Sequence, residues 1–182
     1  MGYTHYVSVK TGRNVTEEKI AAGYAKALPT LQDIAHRYKD ILCHDYEDVN
    51  TPAEVTEERV WWNGKGEDGH ETFVFEPVPT EFSCCKTARK PYDQPVCEAL
   101  LVLGKHVPGM ELSSDGFYMD FDYDERGGVI PGLDGCWRQA LEEVEKRYGI
   151  RFVASKVERS PANYQLKNGT KAEYRKVILQ AA

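Results

Sequence analysis

With 182 residues, the chain has room for one domain with a full hydrophobic core and not for two large ones. Its hydrophobic fraction of 41% and charged fraction of 29% are those of ordinary globular proteins, and 11% aromatic residues argue against disorder. A formal net charge of −6 lacks the broad basic footprint that binding to long nucleic acid requires, so no long nucleic acid is expected as a partner.

No apolar run approaches the roughly 20 residues that span a bilayer, so no membrane association is expected. The five cysteines (Cys43, Cys84, Cys85, Cys97, Cys136) have no CxxC spacing, and no signal peptide precedes the first strand-like residues. Together they point to a reducing, cytoplasmic setting. Cys84 and Cys85 would point to opposite faces of a strand and would not ligate one metal together. No metal site and no cofactor are expected.

The aromatic and β-branched run from Gly2 to Lys10 predicts a strand with Tyr3, His5, Val7 and Val9 on one face. Thr16 then stands as an N-cap before Glu17 and Glu18, and Ile20, Tyr24, Ala27, Leu31, Ile34 and Ala35 form a helical stripe. Pro29 is expected to kink or divide that helix. His44 to Arg59, acidic and polar, reads as a loop. Val60 to Asn63 and Glu71 to Phe75 flank a glycine-rich connection and predict a hairpin. Glu81 to Lys86 predicts a further strand leading into a helix from about Gln94 to Gly104, with Asp93 as its N-cap.

Met110 to Phe121 reads as two short strands around an Asp-Gly turn, or as one bent strand. Gly127 to Gly135 predicts a loop, and Cys136 to Tyr148 a helix stopped by Gly149. Ile150 to Ala154 and Glu173 to Leu179 predict strands, with a turn at Asn168-Gly169 between them. The whole is a single α+β domain over residues 1–182, a mostly antiparallel sheet packed against about three helices, with 149–182 as a strand-rich extension of the same domain.

The segment Cys85-Lys86-Thr87-Ala88-Arg89-Lys90-Pro91-Tyr92-Asp93 gathers three cations before a helix start. A phosphate there would meet the helix dipole, the unpaired first-turn amides and charge-assisted bonds from Lys86 and Arg89. Without the glycines of GxxxxGK[ST] it is not a Walker loop. A solvated basic turn is the plainer alternative. Tyr92 would stack on a base or seal the core, and Asp93 would act as a cap or as a catalytic acid.

Gly2-Tyr3-Thr4-His5-Tyr6, the Cys85 to Asp93 run and Ser113-Ser114-Asp115-Gly116 together resemble a family of uncharacterised proteins from bacteriophages and bacterial genomes. The resemblance runs from residue 2 to about 148 and implies a phage or mobile-element setting, with no established reaction to carry across.

His5 reads either as a structural histidine or as a phosphate binder or general base. His70, after the glycine-rich loop, is either a solvent-facing residue or a functional one. Ser113, Ser114 and Asp115 supply either turn chemistry or hydrogen bonds to a sugar or phosphate. Cys85 is a buried strand cysteine or a thiol made more acidic by Lys86. Asp120, Asp122, Asp124 and Glu125 lack EF-hand spacing and read as a solvated acidic loop.

The ligand-binding set is therefore His5, His70, Lys86, Thr87, Arg89, Tyr92, Ser113, Ser114 and Asp115, with no catalytic residue assigned. The leading expectation is binding of a small phosphate-bearing ligand, a nucleotide or nucleotide-derived signal, in a phage counter-defence setting. The alternatives are an enzyme acting on a nucleotide or phosphoester in the same pocket, and a phage protein that binds a host protein without a small-molecule ligand.

Overall fold

The computed structural model describes residues 3–117, 133–165 and 171–182. The first strand, β1 (Thr4–Val9), lies at the centre of a three-stranded antiparallel sheet between β6 (Thr80–Lys86) and β7 (Met110–Ser114). Register places His5 opposite both Cys85 and Ser114, and Tyr6 opposite both Cys84 and Ser113. Because strand side chains alternate, His5, Cys85 and Ser114 form one row across the inner face. Cys85 and Ser114 are buried, while Cys84 is exposed on the outer face.

A second sheet is built on β4 (Val60–Gly64), which pairs antiparallel with β2 (Leu42–Cys43), β3 (Glu54–Val55) and β5 (Phe73–Phe75). The predicted 60–75 hairpin is therefore present, and the expected 44–59 loop contains the two-residue β3. A third pairing joins β8 (Phe152–Gln165) to β9 (Lys171–Ala181), a hairpin longer than the two short strands expected from the sequence. The Asn168-Gly169 turn lies outside the described residues, as do the acidic run 120–125 and most of the predicted 127–135 loop.

Helix α1 (Glu17–Arg37) starts as expected, with the Thr16 hydroxyl accepting from Lys19 N–H. Pro29 does not divide it. Pro29 and Ala25, whose carbonyl loses the usual i→i−4 donor, are both exposed, so water can serve that carbonyl while the buried stripe continues on the other face.

Helix α2 (Asp93–His106) is the hub. Its residues from Val96 to Leu103 are all buried, the pattern of a helix covered on every side. It packs against α1, against α3 (Gly135–Tyr148) and against β7. Even Glu98 is buried, its carboxylate bound by the Arg37 guanidinium, by Tyr38 O–H at 2.6 Å and by Gln94 Nε2–H at 3.2 Å.

One sequence expectation needs correction here. The N-cap of α2 is Tyr92, which makes no side-chain cap bond, and Asp93 is the first helical residue. Met110 to Ser114 is a strand followed by a 3₁₀ turn at Asp115–Phe117, where the Asp115 carboxylate turns back to accept Thr4 N–H at 2.9 Å, and the expected second strand falls mostly outside the described residues. Gly149 does stop α3, at φ +66°. No helix among the described residues is long and apolar enough to cross a membrane.

Gly23 sits where α1 meets the end of α2, and a Cβ there would lie 2.3 Å from the His106 carbonyl oxygen. Alanine would gain up to about 1 kcal/mol of helix propensity and lose about 1–3 kcal/mol to the backbone clash. Gly23→Ala should therefore lower the urea midpoint without changing the slope of the transition.

Candidate functional site

The three motifs that stand apart in the sequence meet at one end of the β6-β1-β7 sheet. His5 Nε2 lies 2.6 Å from Asp93 Oδ1, and His5 Nδ1 lies 2.9 Å from Ser114 Oγ. Thr87 donates its hydroxyl to the same Asp93 oxygen. Ser114 Oγ also accepts from Trp137 Nε1–H at 2.9 Å and Gly116 N–H at 3.0 Å.

Counting donors assigns the histidine tautomer. A serine hydroxyl has one hydrogen and two lone pairs. Both lone pairs of Ser114 are taken by Trp137 and Gly116, so its hydrogen goes to His5 Nδ1, and the His5 proton sits on Nε2, donated to Asp93. The order O–H···N, N–H···O matches a nucleophile–histidine–carboxylate relay. Ser114 is nevertheless fully buried, His5 is 1% exposed, and no lone pair of Ser114 is left for attack. The relay fixes these groups in place and offers no open nucleophile.

Burial works to raise the Asp93 carboxyl, but its bonds from His5 and Thr87 hold it below the usual carboxylate range. Its Oδ2 has no partner among the described residues. Close by, Cys97 on α2 lies 3.9 Å from His5 Nε2, and Cys136 on α3 lies 3.7 Å from Cys97, sulfur to sulfur. Burial pushes the Cys97 thiol well up.

Above this network the chain takes a strained path. Ala88 and Arg89 are consecutive non-glycine residues in the left-handed region, at φ +52° and +57°. Each costs of the order of 1–2 kcal/mol and persists only where the surroundings hold it. Here Ala88 N–H donates to the Tyr3 carbonyl at 3.2 Å, Lys90 N–H to the Thr87 carbonyl at 3.0 Å, and Asp93 N–H to the Lys90 carbonyl at 2.8 Å. The turn sets the Arg89 guanidinium 4.3 Å above the Tyr3 ring and 3.5 Å from Asp134 Oδ2.

Asp134 is the N-cap of α3, accepting Trp137 N–H at 3.1 Å on Oδ1 and the Tyr3 hydroxyl on Oδ2. Burial and the bond to Asp134 push the Tyr3 phenol far up, so it stays a donor. Gly116 closes the assembly: a Cβ there would fall 2.2 Å from the Tyr3 hydroxyl and 2.5 Å from the Trp137 ring.

The expected residues therefore divide. His5, Thr87 and Ser114 are brought together in the buried network, and Asp115 braces β1 beside it. Tyr92 is fully buried with its hydroxyl on the Glu71 carbonyl at 2.6 Å, so it seals the core and offers no face for stacking a base. Ser113 lies on the opposite sheet face from Ser114, by alternation. His70 is exposed on the β4–β5 connection, where Asn63 holds its backbone through bonds of 2.9 and 3.0 Å. None of the hydrogen bonds or ion pairs among the described residues links its ring to His5. Cys85 is buried and its thiol is pushed up by burial, the reverse of an activated cysteine.

The amides at the start of α2 also differ from expectation. Asp93 N–H is taken by Lys90, and Pro95 has no N–H, which leaves few donors for an anion on the helix axis. Lys90 places its ammonium on the Glu67 carbonyl at 2.7 Å. Lys86 is half-buried, and its ammonium forms no salt bridge among the described residues. A cavity of about 250 Å³ of mixed character is lined by His5, Val7, Phe73, Glu76, Thr80 and Leu100 among others, and none of these cations lines it.

Sequence reading missed Tyr3, Asp134, Trp137, Cys97 and Cys136 as site residues. Only Asp134 carried a local signal, an acidic residue just ahead of a helical pattern.

The fold and the site together define a single-domain α+β protein with a buried serine–histidine–aspartate network beneath a strained, arginine-bearing turn. The chain matches no family model, no curated protein and no solved structure.

Ser114→Ala should strand Trp137 Nε1–H and Gly116 N–H and remove the donor to His5, with about 2–4 kcal/mol lost in urea unfolding. The lowered Asp93 pKa adds stability above the unfolded carboxyl value of about 4, and this contribution disappears as pH falls through the folded value. The stability gap between wild type and Asp93→Asn should therefore narrow between pH 6 and the acid limit of about 3.

Proposed function

We propose that the chain binds a small phosphate-bearing ligand, a nucleotide or nucleotide-derived signal, at the surface around Arg89. The observation that carries this reading is the left-handed Ala88-Arg89 pair. Backbone strain held in place by several hydrogen bonds collects at ligand clamps, and the side chain it presents here is a guanidinium 55% exposed. That guanidinium rests on the Tyr3 ring and is paired with Asp134 only at 3.5 Å, and no hydrogen bond among the described residues takes up its remaining donors. A planar fork of this kind suits two oxygens of a phosphate, and the Lys86 ammonium on the adjoining strand end is a second candidate cation.

Below it, Tyr3, Asp134 and the His5 network supply a rigid floor, which limits the entropy lost on binding. Burial of His5 and Ser114 favours capture over turnover, since the groups that would carry acid–base chemistry lie beneath the surface. In a phage setting, cytoplasmic capture without turnover would remove a host signal. Among the described residues the exposed Phe82, Val78, Val49 and Tyr46 are available to the alternative of a host-protein partner.

Calorimetric titration with mono-, di- and cyclic nucleotides, followed by chromatography of the ligand, tests the reading. Saturable binding with the ligand recovered intact is expected, and Arg89→Gln should weaken it by roughly 10- to 100-fold, as loss of charge-assisted bonds implies. Ligand consumed in the titration would establish the enzyme reading instead, and no binding across the panel would favour the protein partner. Ala88→Gly separates strain from function: relief of the left-handed penalty should raise stability by up to about 1 kcal/mol. If the variant is instead less stable than wild type, Ala88 is not strained and the clamp reading loses its support.

A further inference from the structure

The buried carboxylate of Asp93 poses a problem that the His5 network does not solve. Its Oδ1 is bound by His5 and Thr87, while Oδ2 has no partner among the described residues, although Asp93 is only 3% exposed. An ionised oxygen left unpaired in the interior costs several kcal/mol unless a donor or a cation meets it. A second proton on His5 would help little, because it would have to sit on Nδ1 and face Ser114 Oγ, whose lone pairs are already filled.

The neighbours of Asp93 are metal-binding in type. A carboxylate oxygen of Asp93, the Cys97 sulfur and a His5 nitrogen all lie within 4.8 Å of one another. Cys136 brings a second sulfur to 3.7 Å from Cys97 and sits close enough to the Asp93 carboxylate to help lower it, but a thiol is too weak a donor to replace the hydrogen bond that Oδ2 lacks. Zinc–thiolate bonds of about 2.3 Å in a tetrahedron place two sulfurs about 3.8 Å apart, so the pair is already at the spacing of an S···S edge. Between two reduced thiols the same distance is an ordinary contact, and the orphaned oxygen beside them is what points to a cation.

We propose that Asp93, Cys97 and Cys136 form a binding site for a thiophilic divalent cation of the Zn²⁺ class. Asp93 binds through Oδ2, and His5 and Thr87 keep their bonds to Oδ1 as the outer support that orients a ligating carboxylate. Cys97 and Cys136 bind as thiolates and release one proton each to solvent as the metal enters. The fourth position faces the partly exposed side of Cys136, beside Gln94, whose Oε1 lies 3.4 Å from the Cys136 sulfur. The ligands come from the first two turns of α2 and the first turn of α3, so the cation would fasten the two helices together. This site is separate from the Arg89 surface and does not depend on what binds there.

Chelator-treated, fully reduced protein titrated with Co²⁺ tests the proposal. The expected result is one equivalent bound, with a thiolate-to-cobalt charge-transfer absorption that Zn²⁺ abolishes by displacement. Cys136→Ser, at a partly exposed position where folding can be checked by circular dichroism, should lose the absorption, and Cys97→Ser should do the same. Cys84→Ser, on the outer sheet face, should keep it. Thr87→Val should retain the absorption with metal affinity lowered about 10- to 100-fold, the effect of removing an outer-shell partner. Absence of the absorption in wild type, or its survival in Cys136→Ser, would overturn the proposal. So would air oxidation that removes two thiols as a Cys97–Cys136 disulfide from protein that binds no metal when reduced.

Discussion

A single hydroxyl group, that of Ser114, organises this end of the molecule. Its hydrogen holds the ring of His5, and its lone pairs hold the indole of Trp137 on α3 and the backbone of Gly116. Through His5 the constraint reaches Asp93 and the start of α2, and through Trp137 it reaches the start of α3. The central strand and two helices thus share one saturated hydrogen-bond centre in a low-dielectric interior, where such bonds are strong and gaps are costly. The clamp turn rests on the same residues, since Thr87 binds Asp93 and Ala88 binds the carbonyl of Tyr3.

This arrangement separates two tasks that the sequence presents side by side. The motif from Cys85 to Asp93 reads as one cationic anion site, but its residues face different ways. Thr87, Tyr92 and Asp93 turn inward to build the interior, and Arg89 is the one of the three cations that the left-handed turn leaves exposed. The change of direction requires two residues in a region that L side chains rarely adopt, and no local pattern in Lys-Thr-Ala-Arg-Lys announces it. It follows from the tertiary bond between Ala88 and Tyr3.

The elements with strong periodicity were legible. The Ile20 to Ile34 stripe, the alternation of β1 and the Gly149 stop all carry local physics that the fold keeps. Pro29 did not divide α1 because a proline matters most where its missing bond is buried, and exposure is a tertiary property. Asp93 misled for a related reason: ahead of a helix an aspartate is normally a cap, but a buried histidine and threonine offered its carboxylate better partners than a helix amide. Of the site itself, the sequence pointed to His5, Thr87, Arg89, Ser114 and Asp115. It could not couple Cys97 to Cys136, because two cysteines 39 positions apart meet only through the packing of α2 on α3.

The central place of β1 also bears on how the molecule is made. The strand precedes both of its partners, and His5 pairs with a residue 109 positions later. Contacts of such long sequence separation form slowly, because loop-closure entropy is lost before any of them is gained. A nascent chain emerging from the ribosome would therefore carry β1 unpaired until β6 had followed and one of its edges open until β7 had followed, and the Trp137 bond would form later still. During that interval the edge of β1 is an open template for other strands, which makes slow synthesis and crowding, more than any surface substitution, the conditions under which this protein would aggregate.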